Sequence, residues 1–486
     1  MAARLETIKK ARLAKLAQLK KLNVNPYPAN CVRTHTAAEA LASFGKRVAI
    51  VGRMWALRSH GGSVFADVRD SSGDIQVFFA RDELSVQEFS LVKLLDVGDF
   101  INVQGHVFKT QAGETTIRAK KVALLAKSLR PLPTSWSGFR DVEERYRQRY
   151  ADLLINSEVR KVALTRTKII KELRVFLEEK GFVEVETPIL QPLYGGASAA
   201  PFVTHHKALD TTFYLRISDE LYLKRLIVGG FEKVYEIGRD FRNEGIDRSH
   251  NPEFTMLEFY WAYADINDLI TLSEEMFSYL LTRVKGSLKV TSESAELDFV
   301  PPWPRKTFRD ALLETTGFDV DKTQNEPQIR ALLRKKKIPV PRGIVGYGPL
   351  VDLLWKKVAR PVITQPTLII NWPTQMLALA KREASDQTKV GAFQLVVKGM
   401  EIIKAYNELN DPIDQRKRWE EQEKLVKRGF GEGERLDEDY LRALEYGMPP
   451  TAGWGMGIDR FVMLLTDSRN IKDVILFPTL RPEKLR

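Results

Sequence analysis

The sequence predicts two folded units of different class: a small closed all-β barrel near the N-terminus, and a larger α+β domain built on an antiparallel sheet flanked by helices. Three observations predict this. Residues 46–127 contain five short alternating runs separated by turn signals. From about residue 157, helical and strand patterns mix without a regular βαβ repeat, which favours an antiparallel sheet over a doubly wound fold. At 486 residues the chain is long enough for more than one core.

Residues 1–45 form a basic N-terminal helical segment. Leu5, Ile8, Leu13, Leu16 and Leu19 recur at roughly helical spacing among Arg4, Lys9, Lys10, Arg12, Lys15, Lys20 and Lys21. This helix is a solvated element resting on the next domain or a phosphate-binding arm, with organelle targeting as a minor third reading. Asn25-Pro26-Tyr27-Pro28 ends it. The barrel strands are read at Val48–Arg53, Ser63–Arg69, Ile75–Ala80, Phe100–Phe108 and Thr115–Ala119. Turns fall at Ser71-Ser72-Gly73-Asp74 and Gln111-Ala112-Gly113-Glu114. Five strands in about 80 residues suggest the OB type, a common reader of single-stranded nucleic acid. Phe65, Phe78 and Phe79 either stack bases or fill the barrel core.

Residues 128–156 read as a linker punctuated by Pro131, Pro133 and Gly138. The run Arg145-Tyr146-Arg147-Gln148-Arg149-Tyr150 either touches nucleic acid or ties two domains together through ion pairs. The α+β domain spans 157–486 and opens with a helix, Val159–Lys180, stopped by Gly181.

Composition narrows the function classes. Hydrophobic content of 44% and charged content of 28% are ordinary for a globular protein. A net charge of +12 suits a polyanionic partner. The single cysteine, Cys31, excludes an internal disulfide framework and fits a reducing cytoplasm. Six scattered histidines and no CxxC argue against zinc. No apolar run reaches the length of about 18 residues needed to span a membrane, and no secretory signal is visible.

Four segments carry the chemistry. In the first, FEKVYEIGRDFRNEGIDRSHNPEFTMLEFYWAY, alternating runs flank a polar loop. Phe254, Met256, Glu258 and Tyr260 share one strand face. Arg242 can grip a phosphate or carboxylate bidentately, Glu244 can accept from an exocyclic amine, Phe254 can stack on a purine, and His250 sits at the turn. The second, Ala452-Gly453-Trp454-Gly455-Met456-Gly457-Ile458-Asp459-Arg460, runs a glycine-rich strand into a helix with Arg460 at its first turn. In the third, Gly399–Asp411, a regular strand puts Lys404, Tyr406 and Glu408 on one face and Glu401 on the other; a bulge is needed for all to line one cleft. Glu401 is a candidate Mg²⁺ ligand and Glu408 a candidate ammonium partner. In the fourth, Leu215–Arg225, Glu220 either holds an α-ammonium group or is a helix-start carboxylate. No GxxxxGK[ST] exists and no GxGxxG follows a strand, so ATP, if bound, is not in a P-loop or dinucleotide-type site.

These segments, in this order, resemble class II aminoacyl-tRNA synthetases. Thr187-Pro188 is similar to the first motif of that class, the hairpin to the second and Gly455–Arg460 to the third. GGASAAPFVTHHKALD, ELYLKRLIVGGFEKVYEIGR, NELNDPIDQ and ALEYGMPPTAG resemble the bacterial type of lysyl-tRNA synthetase, with the barrel as its anticodon-binding domain. The resemblance implies ATP-dependent formation of lysyl-adenylate and transfer of lysine to the 3′ end of tRNA(Lys) by a cytoplasmic homodimer joined through the Thr187-Pro188 region. It implies that Arg242 and Arg460 are catalytic and that Glu244, His250 and Phe254 complete the ATP site. Glu220 would take the α-ammonium, Glu408 and Tyr260 the ε-ammonium, and Glu258 would support that pocket. Phe65, Gln76 and Glu114 would read anticodon bases.

Two positions depart from the family pattern. Gln394 stands where a second metal-binding glutamate is usual, which predicts weaker Mg²⁺ affinity. Lys404 stands where an asparagine near the substrate carboxylate is usual. Lys404 would either pair with that carboxylate or repel a cationic substrate. A synthetase for aspartate or asparagine, a protein-lysylating paralogue and a non-enzymatic barrel binder are the rival readings. The retained acids, the barrel, and the arginine and glycine segments argue against each in turn.

Overall fold

The computed structural model describes residues 2–133, 141–293, 295–322, 325–430 and 435–482. Two compact units divide the chain, Met1–Arg140 and Asp141–Arg486. Gly138 and the rest of 134–140, read above as linker, lie outside the described residues.

In the first unit, β1 (Arg47–His60), β2 (Ser63–Arg69), β3 (Asp74–Ala80), β4 (Phe100–Lys109) and β5 (Thr115–Ala126) close a barrel in the order β1-β2-β3-β5-β4. Only β3 and β5 pair in parallel. Alternation sorts the side chains: Val64, Ala66, Val68, Val77 and Phe79 point inward and are buried. Phe79 is thus a core residue, whereas Phe65 and Phe78 remain part-exposed on the outer face.

The N-terminal helix, Ala2–Lys21, is docked on this unit. Leu19 is fully buried, Arg12 donates to the carbonyls of Val97 at 2.8 Å and Arg130 at 2.7 Å, and Lys15 pairs with Asp96 at 2.7 Å. Two of its cations are therefore anchors and not free phosphate ligands. The Arg145–Tyr150 run places Tyr146 and Arg149 inside the second unit. It forms two short helices, Val142–Arg147 and Arg149–Ile155, folded into the second unit. Arg149 is buried, donating to the carbonyls of Lys472 at 2.8 Å and Leu476 at 3.1 Å and pairing with Asp152 at 2.9 Å. Tyr146 donates to Asp473 at 2.8 Å. Both side chains are thus used inside the second unit.

The second unit is built on an eight-stranded sheet. Its order is Arg305–Thr307, Thr367–Pro373, Lys389–Val397, Met400–Asn407, Thr451–Gly457, Glu253–Ala262, Lys233–Phe241, Val183–Glu184. The two outermost pairings are parallel and all others antiparallel. Helices Ser157–Glu179, Ile266–Lys285 and Ile458–Thr466 cover one face, where Leu257, Phe259, Ile403, Ala405, Trp454 and Met456 form the core. Trp454 stacks on Phe259 at 4.8 Å and donates to Ser273 at 2.9 Å. Burying a side chain such as Phe259 contributes roughly 2–3 kcal/mol. The long helix ends where the sequence indicates, with Gly181 at φ +81°. Because side chains alternate, the residues between these core positions face the other way, into a cleft.

Candidate active site

The hairpin strands Lys233–Phe241 and Glu253–Ala262 and the glycine strand Thr451–Gly457 form the floor of that cleft. Tyr260 and Tyr406 both lie opposite Gly453, while Glu258 and Lys404 both lie opposite Gly455. A Cβ at residue 453 would meet Tyr260 Cε1 at 2.6 Å and would also collide with Glu408. Glycine there lets the tyrosine and the carboxylate cross the strand. On Met400–Asn407, Ile403 pairs with Leu395 but Glu401 pairs with Val396, leaving Ile402 as the extra residue. That bulge turns Glu401 onto the face that carries Lys404 and Tyr406.

The result is one cleft of about 590 Å³. It is lined by Arg242, Glu244, His250, Phe254 and Arg460, by Glu220, Glu258, Tyr260, Lys404 and Glu408, and by Glu401 and Gln394. Every candidate residue of the α+β domain therefore faces the same space. Phe65, Gln76 and Glu114 lie in the barrel unit.

One end of the cleft is acidic. Glu220, Glu258 and Glu408 are buried around Lys224, which has no exposed surface. Lys224 Nζ lies 2.6 Å from Glu220 Oε1 and also contacts Glu408. Burial disfavours the Lys224 charge, but Glu220 and Glu408 outweigh burial and hold its pKa well above the ordinary value. Tyr406 donates to Glu220 at 2.7 Å and Tyr260 to Glu258 at 3.2 Å. Behind them, Asp219, Asp240 and Glu258 place carboxylate oxygens within 4.8 Å of one another. Burial first, then the charge of Asp240, pushes the Glu258 carboxyl up to about 8. Burial likewise raises Asp240 to about 6, although Arg242 and Arg216 pull it down. Arg216 Nε lies 3.2 Å from Asp240, and Arg216 Nη1 lies 2.6 Å from Glu236, which accepts from Thr187 Oγ1 at 2.7 Å.

The other end is cationic. Among the described residues Arg242 donates only to the Ile217 carbonyl, at 3.2 Å, and its guanidinium lies 5.0 Å from the Phe254 ring centroid. Arg460 Nη2 donates to His250 Nε2 at 2.9 Å, while His250 Nδ1 lies 2.8 Å from Asp247 Oδ2. Arginine can only donate and a carboxylate only accept, so the His250 proton sits on Nδ1. Glu401 faces Lys404, Arg360, Arg460 and Lys356; burial raises its pKa, but these cations outweigh it and hold the carboxyl below its usual range. Gln394 Oε1 is buried without a hydrogen-bond partner.

On the barrel, Gln76 donates to Glu114 at 2.8 Å and accepts from Thr116 at 2.9 Å. Phe65 lies beside Phe78 with ring centroids 4.9 Å apart, and Phe78 lies 6.3 Å from Phe108, over which Arg118 sits at 4.6 Å. The sequence reading missed Phe108 and Arg118, although alternation along β4 and β5 was available to find them. It also missed Lys224, whose signal was the Glu220/Lys224 spacing of one helical turn. Asp219, Asp240 and Arg360 gave no local signal.

Residues 141–481 match the family described as tRNA synthetases class II (D, K and N), and residues 48–125 match the OB-fold nucleic acid binding domain. A sheet of this order, with an arginine-bearing hairpin and a glycine strand feeding an arginine helix, belongs with that assignment, and the chain is a member of the class II tRNA synthetases. Within the class it belongs with the lysine–tRNA ligases. It is 48% identical to the lysine–tRNA ligase of Carboxydothermus hydrogenoformans over 98% of this chain and 99% of that protein. It is 47% identical to that of Syntrophomonas wolfei, over 98% and 97%, and 46% identical to that of Dehalococcoides mccartyi, over 98% of each.

Proposed function

We propose that this protein joins L-lysine to the 3′ end of tRNA(Lys) in two steps at the expense of ATP. The observation that carries this reading is the polarity of the cleft, with buried carboxylates at one end and, at the other, arginines that no carboxylate among the described residues holds within 4.0 Å. Lysine enters the acidic end. Glu220 takes its α-ammonium, Glu408 and Tyr260 its ε-ammonium, and Glu258 supports the pocket. Lys224 balances Glu220 and Glu408 only in part, so a neutral amino acid would leave the remaining negative charge of the pocket without a cation, whereas the lysine ammonium completes it.

ATP lies across the cationic end. Phe254 stacks on adenine, Glu244 accepts from its amine, and His250 with Arg460 holds phosphate oxygens. Arg242 bridges the α-phosphate and the lysine carboxylate. A carboxylate oxygen attacks the α-phosphorus, the bond to the β-phosphate oxygen breaks, and pyrophosphate leaves. A ribose hydroxyl of the tRNA terminus then attacks the lysyl carbonyl carbon and AMP departs. Alignment and charge neutralisation supply most of the acceleration.

Magnesium would enter with the substrate as MgATP, and Glu401 is the carboxylate that would meet it. Glu401 and the neutral Gln394, ringed by four cations, do not fit a divalent ion held by the protein itself. Phe65, Gln76 and Glu114 read anticodon bases on the barrel, where the added Phe78, Phe108 and Arg118 widen the stacking platform. The exposed Val183, Ile189 and Leu190 beside Thr187-Pro188 support a homodimer through that edge. No helix among the described residues is long and apolar enough to cross a membrane, and a cytoplasmic site of action follows from the proposed reaction. Charging a tRNA(Lys) transcript with labelled lysine and ATP tests the reading. Acid-precipitable label that depends on ATP supports it, and its absence with intact tRNA would overturn it.

A further inference from the structure

The phosphate end of the cleft carries more positive charge than Arg242 and Arg460 supply. Arg360, at the start of the short turn Arg360–Val362, lines the cleft with Lys357 and Lys404. None of these five cations lies within 4.0 Å of a carboxylate among the described residues. Lys356, beside them, is paired with Asp352 at 2.7 Å. Arg360 Nε is buried with no hydrogen-bond partner, and so is Gln394 Oε1, whose residue is 6% exposed. A buried donor and a buried acceptor left without partners carry a desolvation penalty that a bound ligand can relieve.

The Lys404 Cα pairs with Gln394 on one side and Gly455 on the other, and Gly455 in turn pairs with Glu258. Lys404 therefore stands between the acidic and cationic ends, where the lysine carboxylate must meet the α-phosphate. Arg360 stands beyond it, near Glu401, and presents a planar fork suited to the outer phosphates. Gln394 adds no negative charge that would repel them.

We propose that Lys404 and Arg360 bind the triphosphate directly and take over charge neutralisation that a divalent ion held by acidic residues would otherwise provide, so that ATP binding here depends only weakly on Mg²⁺. The inference rests on the adenylation reading of the same cleft. When the bond between the α-phosphorus and the bridging oxygen breaks, both electrons stay with pyrophosphate. Fixed cations already in place stabilise that charge without reorganising.

Calorimetric titration of ATP into the full-length protein, without lysine, in Mg²⁺ and then in EDTA, tests this. The expected loss of affinity in EDTA is less than about tenfold. Arg360→Gln with Lys404→Asn should weaken ATP binding in EDTA at least about tenfold more than in Mg²⁺, and Gln394→Glu should shift it the same way. Undetectable binding of ATP to the unsubstituted protein in EDTA, or equal losses in the two media for the double variant, would overturn the proposal. Lysine-dependent exchange of pyrophosphate into ATP at saturating Mg²⁺ separates the two readings. Its absence sinks adenylation itself, whereas its presence alongside failed binding in EDTA sinks only the role of Lys404 and Arg360.

Discussion

Lys224 Nζ lies 2.6 Å from Glu220 Oε1 inside the acidic pocket, so an ammonium of the protein already holds one of the carboxylates offered to the substrate. The same nitrogen contacts Glu408 and lies 5.9 Å from the Tyr260 ring centroid and 5.7 Å from that of Tyr406. The three acids of the pocket are thus partly balanced before lysine arrives. Lys224→Met removes that balance and leaves Glu220 and Glu408 facing each other in a dry site. Breaking a buried pair in this way costs about 3–5 kcal/mol. Urea unfolding should show that loss, and saturating lysine should restore part of it. An unchanged unfolding midpoint would show that the pair contributes nothing to stability.

The glycine strand makes a graded prediction. A methyl at residue 453 collides with Glu408 and lies 2.6 Å from Tyr260 Cε1. At residue 455 it meets the flexible end of Met256 at 3.0 Å and lies in ordinary contact with Glu258 at 3.6 Å, and at residue 457 nothing lies within 4 Å. Gly453→Ala should raise the KM for lysine at least about tenfold, Gly455→Ala less, and Gly457→Ala scarcely at all. Steady-state exchange kinetics for the three variants check that order.

The raised Glu258 pKa makes lysine binding depend on pH. With this carboxyl at about 8, it is protonated at neutral pH in the empty pocket. A neutral acid attracts an ammonium less, so lysine affinity should climb as pH rises from 6 to 8, by at most about tenfold per unit, then level off. Stability runs the other way. The folded pKa lies above the ordinary 4.5, so the folded state holds the proton more tightly. Its stabilising contribution is full below about pH 4.5 and is lost as pH rises through about 8. Asp240→Asn removes a negative neighbour and should move the affinity profile to lower pH. Calorimetric titration of lysine into the unsubstituted protein and into Asp240→Asn between pH 6 and 9 measures the affinity profiles, and urea unfolding across pH 4 to 9 measures the stability.

The barrel platform should act on tRNA alone. Phe65→Ala removes one ring of the Phe65, Phe78, Phe108 cluster. Stacking is worth about 1–3 kcal/mol per base, so tRNA(Lys) affinity should fall about 5- to 150-fold while lysine-dependent exchange is untouched. Filter binding and exchange assays on one preparation separate the two effects.

Much of the active site was legible because its residues sit on regular strands. Alternation alone placed Phe254, Met256, Glu258 and Tyr260 on one face, and the period of the Gly399–Asp411 segment showed that Glu401 needs a bulge, which Ile402 supplies. What escaped was contact between distant segments. Asp219 and Asp240 each look like solvated acids in sequence, and only the turn of the sheet brings them against Glu258. Arg360 lies in a short turn with no periodicity to mark it. Arg12 and Arg149 show the opposite failure, since arginines in basic runs invite a polyanion reading. A fork of five donors can equally be satisfied by carbonyls from packed segments, as both are here.

Exchange of labelled pyrophosphate into ATP, run with each of the twenty amino acids, tests the central claim most directly. A cleft that pairs buried acids with a cationic side chain predicts exchange with lysine at least about 100-fold above every other amino acid. Comparable exchange with aspartate or asparagine, or none with lysine, would contradict it.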